Sequence, residues 1–194
     1  MKKIINFSEL EIISKKFQKI KKKIVLCHGV FDLLHYGHIK HFEQAKTKGD
    51  LLVVTVTPNR FVNKGPLRPI FNLQKRMESI AALNCVDYVC PNDFPDARTP
   101  INKLKPSIYC KGKDYLDNKE DITGMIKAEI KELKKNGGKV FYTNTEQHSS
   151  SNIINTLGLN QNKDQTIYLT KIKNYLINKN KNIKNIFKDF NKLK

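Results

Sequence analysis

The sequence predicts an α/β fold, in which helices cover both faces of a parallel five-stranded sheet and a helical extension follows at the C-terminus. Five short apolar runs alternate with segments of helical periodicity, and this alternation is typical of a parallel sheet. One run, residues 51–57, is apolar and β-branched throughout, which favours a strand covered on both faces. The 194 residues are enough for one domain with a core of ordinary size and an extension.

The order of the elements predicts a Rossmann-like sheet. The predicted strands are residues 24–28, 51–57, 86–90, 107–111 and 139–143. The predicted helices are residues 7–22, 38–48, 72–83, a short helix opened by Thr99 and Pro100, a helix from Asp121 or Thr123 to 136, and 152–157. Ser8 with Glu11 matches a capping box for the first helix, and Asn72 is the expected N-cap of the third.

Three regions are predicted along the chain: an N-terminal helix in 1–23, the main domain in 24–158, and a basic helical extension or linker in 159–194. The extension holds nine lysines and two aspartates, and its apolar residues recur at helical spacing. Such an apolar stripe needs a partner, which is the main domain, a second subunit or a further domain. The end at Lys194 shows no terminal signal, as expected for the front part of a longer protein.

The formal net charge of +18 raises the question of nucleic acid. The chain has 32 lysines but 4 arginines, and arginine is the better residue for reading bases and gripping phosphates. Lysine, asparagine and isoleucine are the residues that an AT-rich genome favours. We therefore interpret most of the charge as solvated surface, with a few cations available to a polyanionic small substrate.

Composition also bears on location and on metals. No apolar run reaches the roughly 18 residues of a membrane span, and no signal peptide is recognisable, so a cytoplasmic location without a membrane partner is expected. The four cysteines are scattered without a CxxC pair. They are expected to be reduced, and no metal site is predicted.

The stretch with the clearest chemistry is residues 29–38, a predicted strand end, turn and helix start that contains two histidines. Gly29 lets the backbone turn tightly and lets a phosphate approach, and Gly37 removes a side chain between His35 and His38. His38 lies at or near a helix N-terminus, which favours an anion. Both histidines can then donate to charge developing on a phosphate. The alternative is two surface histidines at a helix start, but the strand before and the helix after favour function.

A second feature is the loop of residues 58–71, which carries three cations and no acid: Arg60, Lys64 and Arg68. A loop of that length inside a compact α/β unit is more often functional than accidental.

Residues 29–38, Gly-Val-Phe-Asp-Leu-Leu-His-Tyr-Gly-His, resemble the signature of the HIGH-type nucleotidyltransferases, the cytidylyltransferase-like superfamily. The resemblance covers nearly all of residues 24–157. Within that family the chain is most similar to the adenylyltransferase domains of ADP-heptose synthases, and next to the glycerol-3-phosphate cytidylyltransferases. Four further segments match in order: the basic loop 64–69, the helix arginine motif 74–77, the K-G-x-D-Y turn 111–115, and the serine-rich helix start 149–154.

The resemblance implies transfer of an AMP or CMP group from an NTP, ATP or CTP, to a sugar phosphate or polyol phosphate, with release of pyrophosphate. The implied catalytic residues are His35, His38 and Lys64. The implied nucleotide-binding residues are Gly29, Val30, Phe31, Gly37, Arg76, Ser149, Ser150 and Ser151. The implied substrate-binding residues are Asp32, Lys111 and Asp114. Mg²⁺ is expected to accompany the triphosphate rather than to occupy a cage of protein ligands.

Several alternatives stay open at this point. Asp32 either binds substrate hydroxyls or orients the turn, Arg76 and Lys111 bind phosphates of either reactant, and His28 is equally a ligand contact or a strand-end histidine. The shared motifs do not decide the base, although the closest segments favour ATP. A homodimer is expected, as is a fused or associated sugar kinase, because some similar proteins carry one.

Two other classes of function are alternatives for this sequence. One is a basic nucleic-acid-binding or tRNA-related module with a HIGH-like motif, but the chain lacks a K-M-S-K-S segment and a large RNA-binding body. The other is a non-catalytic oligomerisation or regulatory subunit, against which the intact His35, Gly37 and His38 argue.

Overall fold

The computed structural model describes residues 3–64, 68–115 and 125–144. The strands are β1 (Ile24–Gly29), β2 (Leu51–Val56), β3 (Tyr88–Pro91), β4 (Ile108–Gly112) and β5 (Lys139–Thr143). The α-helices are α1 (Glu9–Lys19), α2 (Tyr36–Lys46), α3 (Leu73–Ala81), α4 (Arg98–Leu104) and α5 (Ile126–Lys135). Short 3₁₀ turns span Asn59–Phe61 and Lys113–Tyr115. This confirms the predicted alternation of strands and helices.

The five strands form one parallel sheet in the order β3-β2-β1-β4-β5, as the Rossmann-like prediction requires. The chain winds outward from β1 to β3 and then returns to place β4 on the other side of β1. The strand order therefore reverses between β1 and β4. Ligands of open α/β sheets bind outside the carboxyl ends of the strands at such a reversal.

Helices pack on both faces of the sheet, because alternate strand residues point to opposite sides. On one face, Leu26 and Tyr109 share a core with residues of α1, α4 and α5. On the other face, Val25 and Cys110 share a core with residues of α2 and α3. All six residues of β2 are buried, as predicted for a strand covered on both faces.

The N-terminal segment belongs to the same core as the sheet. Ile5 donates its backbone N–H to the carbonyl of Val89 at 2.9 Å, and Val89 donates to Lys3 at 2.9 Å, so this segment extends the β3 edge. Leu10 of α1 is fully buried in the core below that edge.

Some predicted boundaries are wrong. The Ser8 side chain makes no capping hydrogen bond; instead the N–H of Asn6 donates to Glu9 at 2.7 Å, because the chain is already tied to the sheet before Ser8. Helix α2 begins at Tyr36, two residues before the predicted start, since His35 serves as its cap. Asn72 caps α3 as predicted, by accepting from the N–H of Lys75 at 3.0 Å.

The four cysteines are free, as predicted, and Cys27, Cys90 and Cys110 are buried. Within the described ranges, no helix combines the length and the apolar character needed to cross a membrane. The predicted helix at 152–157 and the extension at 159–194 lie outside the described residues.

Candidate active site

The site is built where β1 ends, beside the reversal of strand order. The backbone leaves β1 at Gly29 and enters α2 at Tyr36, so the six residues between them form the turn. This places the start of α2, with the positive end of its dipole, at the edge of the sheet where α/β proteins bind phosphates.

His35 is the N-cap of α2. Its backbone is extended, with φ −139° and ψ 172°, and its Nδ1 accepts the N–H of Gly37 at 3.1 Å. Because Nδ1 is an acceptor here, the proton of the neutral imidazole is on Nε2. The Nε2–H of His35 is therefore the donor of this ring.

His38, in the first turn of α2, stacks on His35. The two ring centroids are 3.8 Å apart and the rings are inclined by 33°. Burial lowers the pKa of His38 to about 3, and the positive charge of Lys64 acts in the same direction. His38 is thus a neutral imidazole at physiological pH. The effect of Lys64 also places that ammonium within electrostatic reach of His38.

Phe31 fixes this pair of histidines from the turn. Its backbone is left-handed, with φ +47°, and its ring meets His38 edge to face at 5.4 Å and Phe42 at 5.0 Å. A Cβ at position 29 would lie 3.0 Å from the Phe31 ring, so Gly29 is the residue that lets the ring pack there. These contacts give Gly29 and Phe31 a packing function in addition to the predicted contact with a nucleotide.

Arg76 is buried beside the signature turn and is hydrogen-bonded to it. The Arg76 side chain, which was predicted to bind a phosphate, is only 1% exposed. Its guanidinium donates to three backbone carbonyls and one side chain. The acceptors are Phe71 at 3.0 Å, Val30, Thr57 at 2.9 Å and Asn59 Oδ1 at 2.8 Å. These bonds use four of its five N–H groups. Arg76 therefore ties the signature turn to the ends of β2 and of the basic loop, and its contact with a phosphate stays a prediction.

The contacts of Asp32 fit the alternative of orienting the turn, and its contact with substrate stays a prediction. Its side chain is 1% exposed and accepts from Arg68 Nε at 2.5 Å through Oδ2. Its Oδ1 accepts the N–H of Phe71 at 3.2 Å. Both oxygens are thus used to join the signature turn to the far end of the basic loop.

Lys111 forms a buried ion pair, and its contact with a phosphate stays a prediction. The ammonium expected to bind a phosphate is 6% exposed and forms an ion pair with Glu129 at 3.4 Å. It also lies over the rings of Tyr109 and Tyr115, at 5.0 and 4.6 Å. Glu129 accepts from Tyr109 at 2.9 Å and from the N–H of Ala97 at 2.9 Å. Lys111 is therefore held inside the molecule by α5.

The carboxyl group of Glu129 is ionised in this setting. Burial alone would raise its pKa, but the charge of Lys111 and the two hydrogen bonds hold the pKa below its usual value. The same burial raises the pKa of the Tyr109 phenol, and Glu129 raises it further. A buried anion and a buried cation are thus paired directly behind the carboxyl end of β4.

Sequence reasoning did not find the hydroxyl partners of two other histidines. His28 Nδ1 lies 2.9 Å from Thr55 Oγ1, and His41 Nδ1 lies 2.7 Å from Thr143 Oγ1. Burial, followed by the charge of Lys111, lowers the pKa of each to about 4. The threonines sit in strands 27 and 102 residues away in sequence, so no local pattern could have identified them.

Several predicted site residues fall outside the described part of the chain. They are Ser149, Ser150 and Ser151, together with residues 65–67 of the basic loop. Asp114 lies in the 3₁₀ turn Lys113–Tyr115, but its side chain is also outside the description. The Gly37 backbone and the Val30 carbonyl, in contrast, are part of the network around α2 and Arg76.

The arrangement suits the binding of a phosphate more than covalent catalysis. Two imidazoles lie together at the N-terminus of α2, whose dipole favours an anion, and Lys64 adds positive charge nearby. Among residues 3–64, 68–115 and 125–144, no group of three or more His, Cys, Asp or Glu residues could hold a metal ion.

Comparisons with known proteins agree with this geometry. The model of a family described as cytidylyltransferase-like matches residues 26–156. A bifunctional protein HldE from Geobacter metallireducens is 35% identical over 158 residues, which are 80% of this chain and 31% of that protein. Another from Pseudomonas putida is 40% identical over 139 residues, 69% of this chain and 27% of that protein. The chain thus spans less than a third of the length of these curated relatives.

Two solved structures are similar as well. A crystal structure titled as a lipopolysaccharide core biosynthesis protein from Thermoplasma volcanium is 28% identical, with a TM-score of 0.52. The match covers 66% of this chain and 99% of that one. A pantoate-beta-alanine ligase from Francisella tularensis has a TM-score of 0.53 over 87% of this chain and 85% of its own. At 18% identity, this second likeness concerns the fold alone.

Proposed function

This chain belongs to the cytidylyltransferase-like family, and we propose that it transfers an AMP or CMP group from an NTP to a sugar phosphate or polyol phosphate. Pyrophosphate is the second product, and an NDP-sugar or NDP-polyol is the first. The HldE relatives and the lipopolysaccharide core biosynthesis protein support a sugar phosphate as the acceptor. The same relatives favour ATP over CTP.

One observation carries the proposal: His35 caps α2 and stacks on His38 at the reversal of strand order. A capping histidine with its proton on Nε2, beside a second neutral histidine, offers hydrogen bonds without adding charge to the site. Such donors can stabilise oxygens of an α-phosphate as negative charge shifts onto them.

The proposed reaction is a direct in-line displacement. An oxygen of the acceptor phosphate bonds to the α-phosphorus of the NTP, and the bond from that phosphorus to the bridging oxygen breaks. The leaving pyrophosphate carries the bonding electron pair. His35 and His38 bind the α-phosphate, and Lys64 neutralises charge on the transferred or leaving group. Such transfers need mainly positioning and cations, which is what this site offers.

The described residues do not form a metal cage, so no step of the mechanism is assigned to a protein-bound metal. Asp32, the acidic residue of the signature turn, is already committed to Arg68 and Phe71. Mg²⁺ bound to the triphosphate stays a prediction, as do the contacts of Ser149, Ser150 and Ser151 with the β- and γ-phosphates. A homodimer, a fused or associated sugar kinase and a cytoplasmic location also stay predictions.

The proposal is tested by pyrophosphate release. Purified protein is incubated with Mg²⁺, ATP or CTP, and a panel of sugar and polyol phosphates, and pyrophosphate is measured with a coupled assay. Release is expected with one nucleotide and one acceptor class. No release with any pair would contradict the proposed function.

His38→Ala is the sharpest variant for the same assay. We expect kcat to fall by a factor of about 100 or more, because one donor to the developing charge is removed. Lys40→Ala is a matched control on the same helix, since Lys40 is half-exposed and pairs with Glu43. The melting temperatures of both variants are measured to check that the two proteins are folded. A His38→Ala protein with near-normal kcat would refute the transition-state role.

A further inference from the structure

Arg68 has a buried group that the protein itself does not satisfy. Its side chain is 8% exposed, yet its Nη2 is buried and has no hydrogen-bond partner among the residues that the structure describes. A buried donor of a charged group without a partner costs considerable free energy, so each such group requires an explanation.

A second arginine–aspartate pair in the same chain shows how such a pair is normally completed. Arg98 uses both Nε and Nη2 on the carboxylate of Asp96, at 3.0 and 2.9 Å. Arg68 engages Asp32 only through Nε, because the other carboxylate oxygen accepts the N–H of Phe71. The pairing geometry thus leaves Nη2 of Arg68, next to the bonded Nε, for another acceptor.

The position of this edge points to a particular acceptor. Asp32, the partner of Arg68, lies three residues before His35 in the signature turn, so the guanidinium is anchored to the wall of the phosphate site. A guanidinium binds phosphate oxygens in preference to most other acceptors because its N–H groups match their geometry.

We propose that Arg68 is a further phosphate-binding residue: Asp32 holds its Nε while Nη2 donates to an anionic oxygen of a reactant phosphate. This inference rests on the proposed function and deepens it. The oxygen belongs either to the NTP or to the acceptor phosphate. In both cases Arg68 contacts a reactant directly, whereas Asp32 and Arg76 act on the site through the loops they hold.

The test compares Arg68→Lys with Arg98→Lys, which make the same chemical change in two arginine–aspartate pairs. Binding of ATP, CTP and inorganic pyrophosphate is measured by isothermal titration calorimetry without an acceptor, and KM for the active acceptor phosphate by pyrophosphate release. We expect Arg68→Lys to weaken nucleotide binding or raise the acceptor KM by about tenfold or more, as loss of a charged hydrogen bond does. Arg98→Lys should change both by less than about twofold.

Each outcome is decisive. Weakened nucleotide and pyrophosphate binding assigns the oxygen to the NTP, and a raised acceptor KM alone assigns it to the acceptor. A lowered melting temperature with both affinities unchanged would overturn the inference, since Nη2 is then satisfied by water. Wild-type protein that binds neither nucleotide nor pyrophosphate would contradict the proposed function itself.

A measurement on the unaltered protein covers the case in which Arg68→Lys does not fold. The chain has only 4 arginines, so their side-chain ¹H–¹⁵N NMR signals are few and assignable. Adding ATP, pyrophosphate or the active acceptor phosphate should shift the Nη signals of Arg68 and slow their solvent exchange, with the Arg98 signals unchanged. An unshifted Arg68 signal at saturating concentrations of all three would also overturn the inference.

Discussion

Histidine protonation is the feature that matters most at the residue scale. Burial lowers the pKa of His28 and His41 to about 4 and that of His38 to about 3, well below the ordinary value of 6.5. The site therefore offers neutral imidazole donors to a highly charged nucleotide. A bound phosphate places negative charge beside His38 and should raise its pKa, so binding and protonation are coupled.

These pKa values predict how stability depends on pH. Between pH 6.5 and about 4, the unfolded chain binds protons at these histidines that the folded chain does not bind. The free energy of unfolding should therefore fall on acidification, by up to about 1.4 kcal/mol per histidine for each pH unit. Urea denaturation at pH 7, 6 and 5 measures the slope.

His41→Gln is the matched variant for this pH dependence, since a glutamine can still reach Thr143 but does not titrate. Its slope should be smaller by the contribution of one histidine. Equal stability at pH 7 and pH 5 in the wild type would show that these imidazoles are accessible to protons in the folded state.

At the element scale, Arg76 of α3 holds three loop segments at once. Its guanidinium donates to the carbonyls of Val30 after β1, Thr57 after β2 and Phe71 before α3. The loops that carry the site are thus fixed by a side chain from outside the site, and their geometry depends on that contact.

Arg76→Lys should therefore be strongly destabilising although it keeps the charge. An ammonium cannot reach all of these acceptors, and buried carbonyls left without donors cost about 1–3 kcal/mol each, so we expect a loss of about 2–4 kcal/mol. Arg98→Lys is the control, with an expected loss below about 1 kcal/mol because its side chain is half-exposed. Chemical denaturation compares the two, and equal losses would argue against the special role of Arg76.

The same elements show what the sequence could and could not predict. The strand, turn and helix start around His35 and His38 were predictable because they depend on local pattern. The buried partners of Arg76, Asp32 and Lys111 were not predictable because they come from distant segments. Arg76 donates to Val30, 46 residues away, and Asp32 pairs with Arg68, 36 residues away. A sequence pattern identifies a charged residue, but only the fold decides whether its charge faces a ligand or a buried partner.

At the scale of the whole molecule, the reversal of strand order explains why the site lies where it does. The β1 end brings the signature turn, β4 brings Lys111, and α5 returns Glu129 to meet it. Tyr109 and the N–H of Ala97 complete the contacts of Glu129, so one carboxylate joins β4, α4 and α5. The Lys111 charge also helps to keep His28 and His41 neutral, which links this pair to both sides of the sheet.

Breaking the Lys111–Glu129 pair should therefore destabilise the whole domain. Glu129→Gln leaves a cation that is 6% exposed without its anion, and removing one partner of a buried pair costs about 3–5 kcal/mol. The double variant Lys111→Met with Glu129→Gln removes both charges and should recover most of the loss, since paired buried charges contribute little net stability. A loss below about 1 kcal/mol in Glu129→Gln would contradict the buried pair.

The same double variant tests whether Lys111 also binds a ligand. If the stable double variant binds nucleotide and acceptor normally, Lys111 has a structural role only. If the acceptor KM rises while stability is restored, Lys111 leaves Glu129 to bind a phosphate during the reaction.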